Sequence, residues 1–358
     1  MVILSHPDSL TLSGNIKNFI ISSTEVVRFS LYKNQELLLD TQYHPDASER
    51  ICIDVRDIVH NSLKYKLESS DFYIQDELAA DFRAVVNDQT VTFRAIKCGV
   101  SNLSTSASAF LLGNFLSWQP ESIETRYVQP QWLTYCNTGT GSVSLCVRFY
   151  KDATIVGAKK LNNIQSGKCA TVNLQFARVW ALATEDRDGY FDVYIEDSNG
   201  NRLTYVQRYI LSQNTPEDKF FLFENTLGGL DSVVFTGANV FNPDGTFGNS
   251  LYDGQLVNTH NDISRIYTQY TGYKSPREIL WLKDFWTSMQ RYVINDGGVF
   301  PIVIEDSSIN ASSMDPLQSF EFRYKLSSDE GYQNLARTTE LATPLEIITP
   351  SNLFFFSS

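Results

Sequence analysis

Two continuous apolar runs that meet across a pair of glycines constrain this chain most. Lys219-Phe220-Phe221-Leu222-Phe223-Glu224 leads into Asn225-Thr226-Leu227-Gly228-Gly229, and Leu230-Asp231-Ser232-Val233-Val234-Phe235 leads out. Strands that are apolar on both faces belong in the middle of a structure. A buried helix gives a similar run but does not tolerate two glycines at its centre, whereas a tight reversal uses their freedom to adopt positive φ. The stretch is therefore read as an organising hairpin. Gly228 or Gly229 is expected at positive φ, with Asn225 or Asp231 bonding the turn backbone. Asn225, Gly228, Gly229 and Asp231 form the structural turn.

The 23 Phe and 18 Tyr against 3 Met favour pleated surfaces over helix bundles. At 358 residues with 42% hydrophobic content, two or three domains can each bury a core. The net charge of −12 argues against nucleic acid and anionic membrane as partners. The N-terminus has no basic start, apolar core or small-residue cleavage site, so no signal peptide is expected. The most apolar stretch, 109–116, is far shorter than the roughly 20 residues of a membrane-spanning helix. Cys52, Cys98, Cys136, Cys146 and Cys169 contain no CxxC pair. They read as reduced, half-buried thiols, with Cys136 to Cys146 the one sequence-local bridge.

Internal repetition is the most informative pattern in the first two hundred residues. Phe29-Ser30-Leu31-Tyr32-Lys33-Asn34 matches Val147-Arg148-Phe149-Tyr150-Lys151-Asp152, and Ile51, Ile53, Val55 and Leu63 match Ala170, Val172, Leu174 and Leu182. A closing hairpin recurs, with Val91-Thr92-Phe93 set against Leu203-Thr204-Tyr205. The fold class is therefore mainly β: two related β-sandwich modules in series, 1–104 and 118–214, joined by a linker at 105–117. An α+β module with one amphipathic helix follows over 215–358. Its helix starts at Ser275-Pro276-Arg277-Glu278, a cap, a first-turn proline and a capping-box glutamate, with Ile279, Leu282, Trp286 and Met289 on one face. The stretch 241–250 is rich in breakers and reads as a loop.

Catalytic motifs are missing from the sequence. There is no His-Glu-x-x-His helix, no Gly-x-Ser-x-Gly elbow and no phosphate loop, and His6, His44, His60 and His260 lack ligand spacing. Asp186 and Asp188 stand in an acidic, glycine-containing segment that could hold calcium, but it lacks the full alternating acid pattern and the distal glutamate, so it reads as a solvated loop. Glu305 and Asp306 read as a strand-end turn. No metal, cofactor or catalytic residue is assigned. Trp118 and Trp132, each beside a proline, could form a sugar-stacking platform or pack across a domain junction.

Three segments carry a resemblance: 223–231 followed by Phe235-Thr236-Gly237, then Pro130-Gln131-Trp132-Leu133, and Trp281-Leu282-Lys283-Asp284-Phe285-Trp286-Thr287-Ser288. Over residues 118–305 the chain resembles β-rich proteins encoded in tail or virion regions of gut-bacterial phages and prophages. That resemblance implies a non-enzymatic structural or adhesin-like role in a virion or phage tail, within the particle or in the host cytoplasm during assembly. Its partners would be other protein subunits of the same particle, in an oligomer. Where the pattern usually has Asn-Ser, this chain has Asn225-Thr226, which keeps a hydroxyl for the turn. A carbohydrate-binding surface protein, with a glycan as partner, and a glycosidase are the competing readings. Leu353, Phe354, Phe355 and Phe356 are expected to dock, either on their own module or by edge pairing with a neighbouring subunit.

Overall fold

Alternation of apolar and polar residues dictates short half-buried strands, and the fold assembles them in five sheets among the described residues. The computed structural model describes residues 1–68, 70–183, 189–295, 298–308 and 317–327. Its first part contains β1 (Val2–Ser5), β2 (Leu10–Leu12), β3 (Phe19–Ser22), β4 (Val27–Lys33), β5 (Glu36–Tyr43), β6 (Arg50–Ile53), helix α1 (Arg56–Ser62), β7 (Phe72–Ile74), β8 (Ala79–Val86) and β9 (Gln89–Ile96). Its second part contains helix α2 (Ala107–Gly113), β10 (Ser122–Thr125), β11 (Trp132–Cys136), β12 (Val143–Lys151), β13 (Thr154–Ile164), β14 (Cys169–Asn173), helix α3 (Phe176–Trp180), β15 (Tyr190–Glu196) and β16 (Gln207–Leu211).

The two parts share one strand order. A five-stranded sheet runs β2-β9-β8-β4-β5 in the first and β10-β16-β15-β12-β13 in the second. In both, the leading edge strand is the parallel one, pairing β9 and β16 respectively. The antiparallel pair β3/β6 packs over the first sheet as β11/β14 packs over the second. The short helix follows β6 and β14 at the same point. The parts differ in the third strand of the short sheet: β1 adds to β3, whereas β7, from the first part of the chain, adds to β14.

Three expectations need correction here. The stretch 105–117 is not a bare linker: Ser106 caps α2, and Ala107, Leu111, Phe115 and Leu116 are buried. The return strand of the second closing hairpin lies at Gln207–Leu211: after the Arg202–Glu196 bridge and the bond from the Leu203 N–H to the Ile195 carbonyl the chain leaves the ladder, with Leu203 and Tyr205 packed as partly buried side chains. Finally, Cys136 is joined to Cys169, not to Cys146. The two sulfurs meet because their residues stand directly opposite each other on β11 and β14, a pairing that sequence proximity does not reveal. The sequence separation is 33 residues, so reduction is expected to lower stability by about 2–4 kcal/mol. Urea melts with and without reductant, and with Cys136→Ser, check this: the reductant should have no effect on the variant.

The third part contains β17 (Lys219–Glu224), β18 (Leu230–Phe235), β19 (Asn239–Tyr252), β20 (Gln255–Tyr270), helix α4 (Pro276–Thr287), β21 (Arg291–Asn295), β22 (Gly298–Ser308) and β23 (Glu321–Leu326), in one sheet of order β18-β17-β21-β22-β23-β20-β19. The full capping box at Ser275 and Glu278 forms. The buried face of α4 is Trp281, Leu282 and Phe285, rather than the face ending at Met289, which lies past the helix end and is exposed. Glu305 and Asp306 lie inside β22 rather than in a turn, with Glu305 paired to Lys325 at 2.9 Å.

The breaker-rich stretch 241–250 is not a loop either. It belongs to β19, which pairs with β20 along its whole length. Pro243 is tolerated because β19 is an outermost strand among the described residues, where a missing N–H costs no ladder bond. Asp253 and Gly254, at φ 48° and 75°, close the hairpin with both central residues left-handed, the geometry that an Asp-Gly pair favours.

The cores follow from this arrangement. Phe29, Phe82 and Phe93 belong to a core of the first sandwich. A second core runs without a break from Tyr135 and Phe191 of the second sandwich to Phe221, Phe285 and Phe322 of the third part. The organising hairpin is buried on both faces: Phe221 and Phe223 face α4, while Leu222 and Leu230 meet Trp132.

Candidate functional site

The turn at 225–229 is where the three parts of the chain meet, and a lattice of side chains fixes it there. The Asn225 carboxamide oxygen accepts from the N–H of Leu227 at 2.9 Å and of Gly229 at 3.1 Å, and its amide donates to the Leu116 carbonyl at 3.0 Å. Gly228 has φ +82°. A Cβ on Gly228 would stand 2.0 Å from the Lys97 carbonyl, and one on Gly229 would stand 2.1 Å from the Leu116 carbonyl. The glycines thus serve close approach to the neighbouring backbone as well as the reversal itself. From the first sandwich, the Gly99 N–H donates to the Thr226 carbonyl at 2.8 Å.

Asp231 does not bond the turn backbone. Its carboxylate accepts from the Ser117 hydroxyl at 2.7 Å and from the Trp281 indole N–H at 2.8 Å, tying the segment before β10 to α4. It is fully buried. Desolvation raises its pKa to about 7, opposed by its bonds to Trp281, Ser117 and Asn225 and assisted by Asp284. The Thr226 hydroxyl acts outside the turn: it donates to Asp284 at 2.8 Å and accepts from the Trp118 indole at 3.1 Å, while the Thr226 N–H also reaches Asp284.

Two open clefts flank this turn, of about 610 and 690 Å³. Both are bordered by His60, Thr226, Asp284 and Thr287, so they form one trough between the first sandwich and α4. The first contains the Lys97–Glu224 ion pair and Tyr292. The second is bordered by Trp118, Leu280, Arg277 and Lys283. The His60 Nδ1 lies 2.8 Å from the Ser13 hydroxyl, and burial, then Lys97, lower the His60 pKa. Ser13 is completely buried and also bonds the Cys98 backbone, so its oxygen serves as a strut between segments.

The other sequence candidates fall elsewhere. Trp132 is buried against Leu222 and Leu230, so the two tryptophans form no common platform; Trp118 alone borders a cleft and is 45% exposed. Asp186 and Asp188, and Leu353, Phe354, Phe355 and Phe356, lie outside the described residues. Among the described residues no three His, Cys, Asp or Glu converge on a possible metal site, and no helix is long and apolar enough to cross a membrane. Burial raises the pKa of the Cys98 thiol and pushes that of Cys146 up to about 12.

Sequence reasoning missed the Asp231–Trp281, Thr226–Asp284 and Lys97–Glu224 links, because each joins residues distant in sequence. It also missed the β19/β20 hairpin, for which Asp253-Gly254 was a usable signal. Compared with known proteins, the chain matches no family model and no curated protein.

Proposed function

We propose that this chain is a structural or assembly protein of a phage or phage-like particle, a tail or virion component acting through protein–protein contacts in an oligomer. The observation that carries the reading is the β19/β20 hairpin. Its last sheet neighbour is β23, whose pairing with β20 ends at Ile266. Beyond that the two strands run on from Pro243 to Tyr252 with no third strand among the described residues, a projection of roughly 30 Å at about 3.3 Å per residue. At its end Leu251, Tyr252 and Leu256 are 73%, 78% and 72% exposed. An arm that presents large apolar side chains to water is a docking device or a liability, and assembly removes the liability.

The acids of the trough support a binding role over hydrolysis. Glu224 is paired with Lys97, Asp284 holds Thr226, and Asp231 is closed off by Ser117 and Trp281. A glycosidase needs one free carboxylic acid and one free carboxylate across a sugar. A second reading, glycan binding, is favoured by the exposed face of Trp118 on the cleft.

The tests separate these readings. Concentrated full-length protein is expected to form rings, fibres or defined oligomers by light scattering and negative-stain microscopy. A strictly monomeric chain that binds a defined sugar on a glycan array would replace the first reading with the second, and release of reducing ends would establish the glycosidase. Deleting residues 351–358 is expected to lower assembled mass while leaving the melting temperature within about 2 °C, which corresponds to on the order of 1 kcal/mol. A collapsed melt would place the four apolar residues in their own core instead.

A further inference from the structure

The tip of the hairpin and the cleft beside α4 are chemical complements. The tip combines Leu251, Tyr252 and Leu256 with one acid, Asp253, and no Lys or Arg occurs anywhere from 239 to 264. The cleft of about 690 Å³ combines Leu280, 76% exposed, and the ring of Trp118 with two exposed cations, Arg277 and Lys283. Neither cation makes an ion pair among the described residues. The nearby Asp284 is buried under its bonds from Thr226, so the exposed charged side chains of this cleft are the two cations.

Position completes the argument. The cleft borders the turn that starts β18, whereas β19 begins just past the other end of β18, at Phe235. Two complementary patches on opposite ends of one module make a heterologous contact, copy after copy, rather than a two-fold dimer. The occupant is argued from charge: copies with a net charge of −12 repel wherever acid faces acid, and this cleft is a place where an acidic tip meets basic side chains.

We propose that the tip 251–256 of one copy seats in the cleft of the next, Asp253 against Arg277 and Lys283, and Tyr252 and Leu251 against Trp118 and Leu280. The contact assembles the chain head to tail into a ring or filament. It rests on the assembly reading above and names its interface. The two-residue turn and long ladder hold the tip in one conformation before docking, which limits the ordering cost. A contact of this size is small, so each junction is expected to be weak, micromolar or weaker, with closure of a ring supplying the rest.

The test is sedimentation velocity of the full chain across a wide concentration range, with circular dichroism confirming that each variant is folded. Asp253→Lys alone and Arg277→Glu/Lys283→Glu alone are each expected to weaken self-association at least tenfold. Mixing the two is expected to restore it, since each reversed tip then finds a reversed cleft and each unchanged tip an unchanged cleft. Assembly that survives both reversals, or loss that mixing does not repair, overturns the tip-in-cleft contact while leaving the assembly reading intact. A wild-type chain that stays monomeric throughout overturns both.

Discussion

Gly228→Val is expected to lower stability by about 2–5 kcal/mol. Valine at φ +82° meets the left-handed penalty of roughly 1–2 kcal/mol that β-branched residues feel in full. Its Cβ would also stand 2.0 Å from the Lys97 carbonyl, an atom of the first sandwich's backbone that cannot swing away as a side chain would. Relieving that overlap forces a backbone shift of the kind that costs about 1–3 kcal/mol. The shift would also pull the turn from Gly99 and Leu116, so the loss reaches beyond the third part of the chain. Gly229→Val acts at the other contact, against the Leu116 carbonyl. Chemical denaturation of both variants is the measurement, and an unchanged transition midpoint in either would refute the close-approach argument for that glycine.

A pH-dependent melt centred on Asp231 is the second large effect. In the folded protein its pKa is raised to about 7 from 3.8, with burial as the leading cause. Between those values the folded state binds a proton that the unfolded chain has released, so stability falls as pH rises. The contribution is fully present below the unfolded pKa and is lost as pH climbs through about 7. Asp231→Asn mimics the protonated acid: its oxygen can accept from Trp281 and its amide can donate to the Ser117 oxygen. The melting temperature of wild type relative to Asp231→Asn is therefore expected to fall on going from about pH 5 to about pH 8. Taking this difference cancels the opposing titration of His60, whose depressed pKa favours the fold at higher pH. Asp231→Ala should cost about 2–5 kcal/mol at low pH, since it strands the Ser117 hydroxyl and the Trp281 indole N–H in the interior. A pH-independent difference between wild type and Asp231→Asn would sink this account.

How far the sequence spoke for the fold depended on whether its signals were local. The duplicated strand order showed because repetition leaves matching runs such as Phe29 to Asn34 and Val147 to Asp152 at a nearly constant offset. The capping box at Ser275 was equally plain, since all its members lie within one turn of helix. The hairpin of β19 and β20 is hidden by Pro243, Gly245 and Gly248, which break most strands but are tolerated in one that is outermost among the described residues. The buried face of α4 is obscured in the sequence because Met289 continues the apolar spacing past Thr287, where the helix ends.

The trough was almost illegible, and for one reason. Its contacts join Lys97 to Glu224, Ser117 to Asp231 and Trp118 to Thr226, pairs separated by more than a hundred residues. No periodicity records such meetings, and only Asn225, bonding within its own turn, left a readable trace. The cross-strand cystine was hidden in the same way. Cys136 and Cys169 are paired by register, and register is set by which strands become neighbours.

The loan of β7 to the second sandwich has a consequence for how the chain is made. Tyr73 pairs with Thr171, so this strand leaves the ribosome about 100 residues ahead of its partner. At about 5–20 residues per second it waits roughly 5–20 s in an unfinished chain, while β8 and β9 close the sheet behind it. The first sandwich can therefore be complete in its own ladders while still carrying one idle strand, and synthesis of the second unit is what retires it. Ribosome-stalled chains halted just before β14 should accordingly be cut by protease near residue 73, and chains released after it should not.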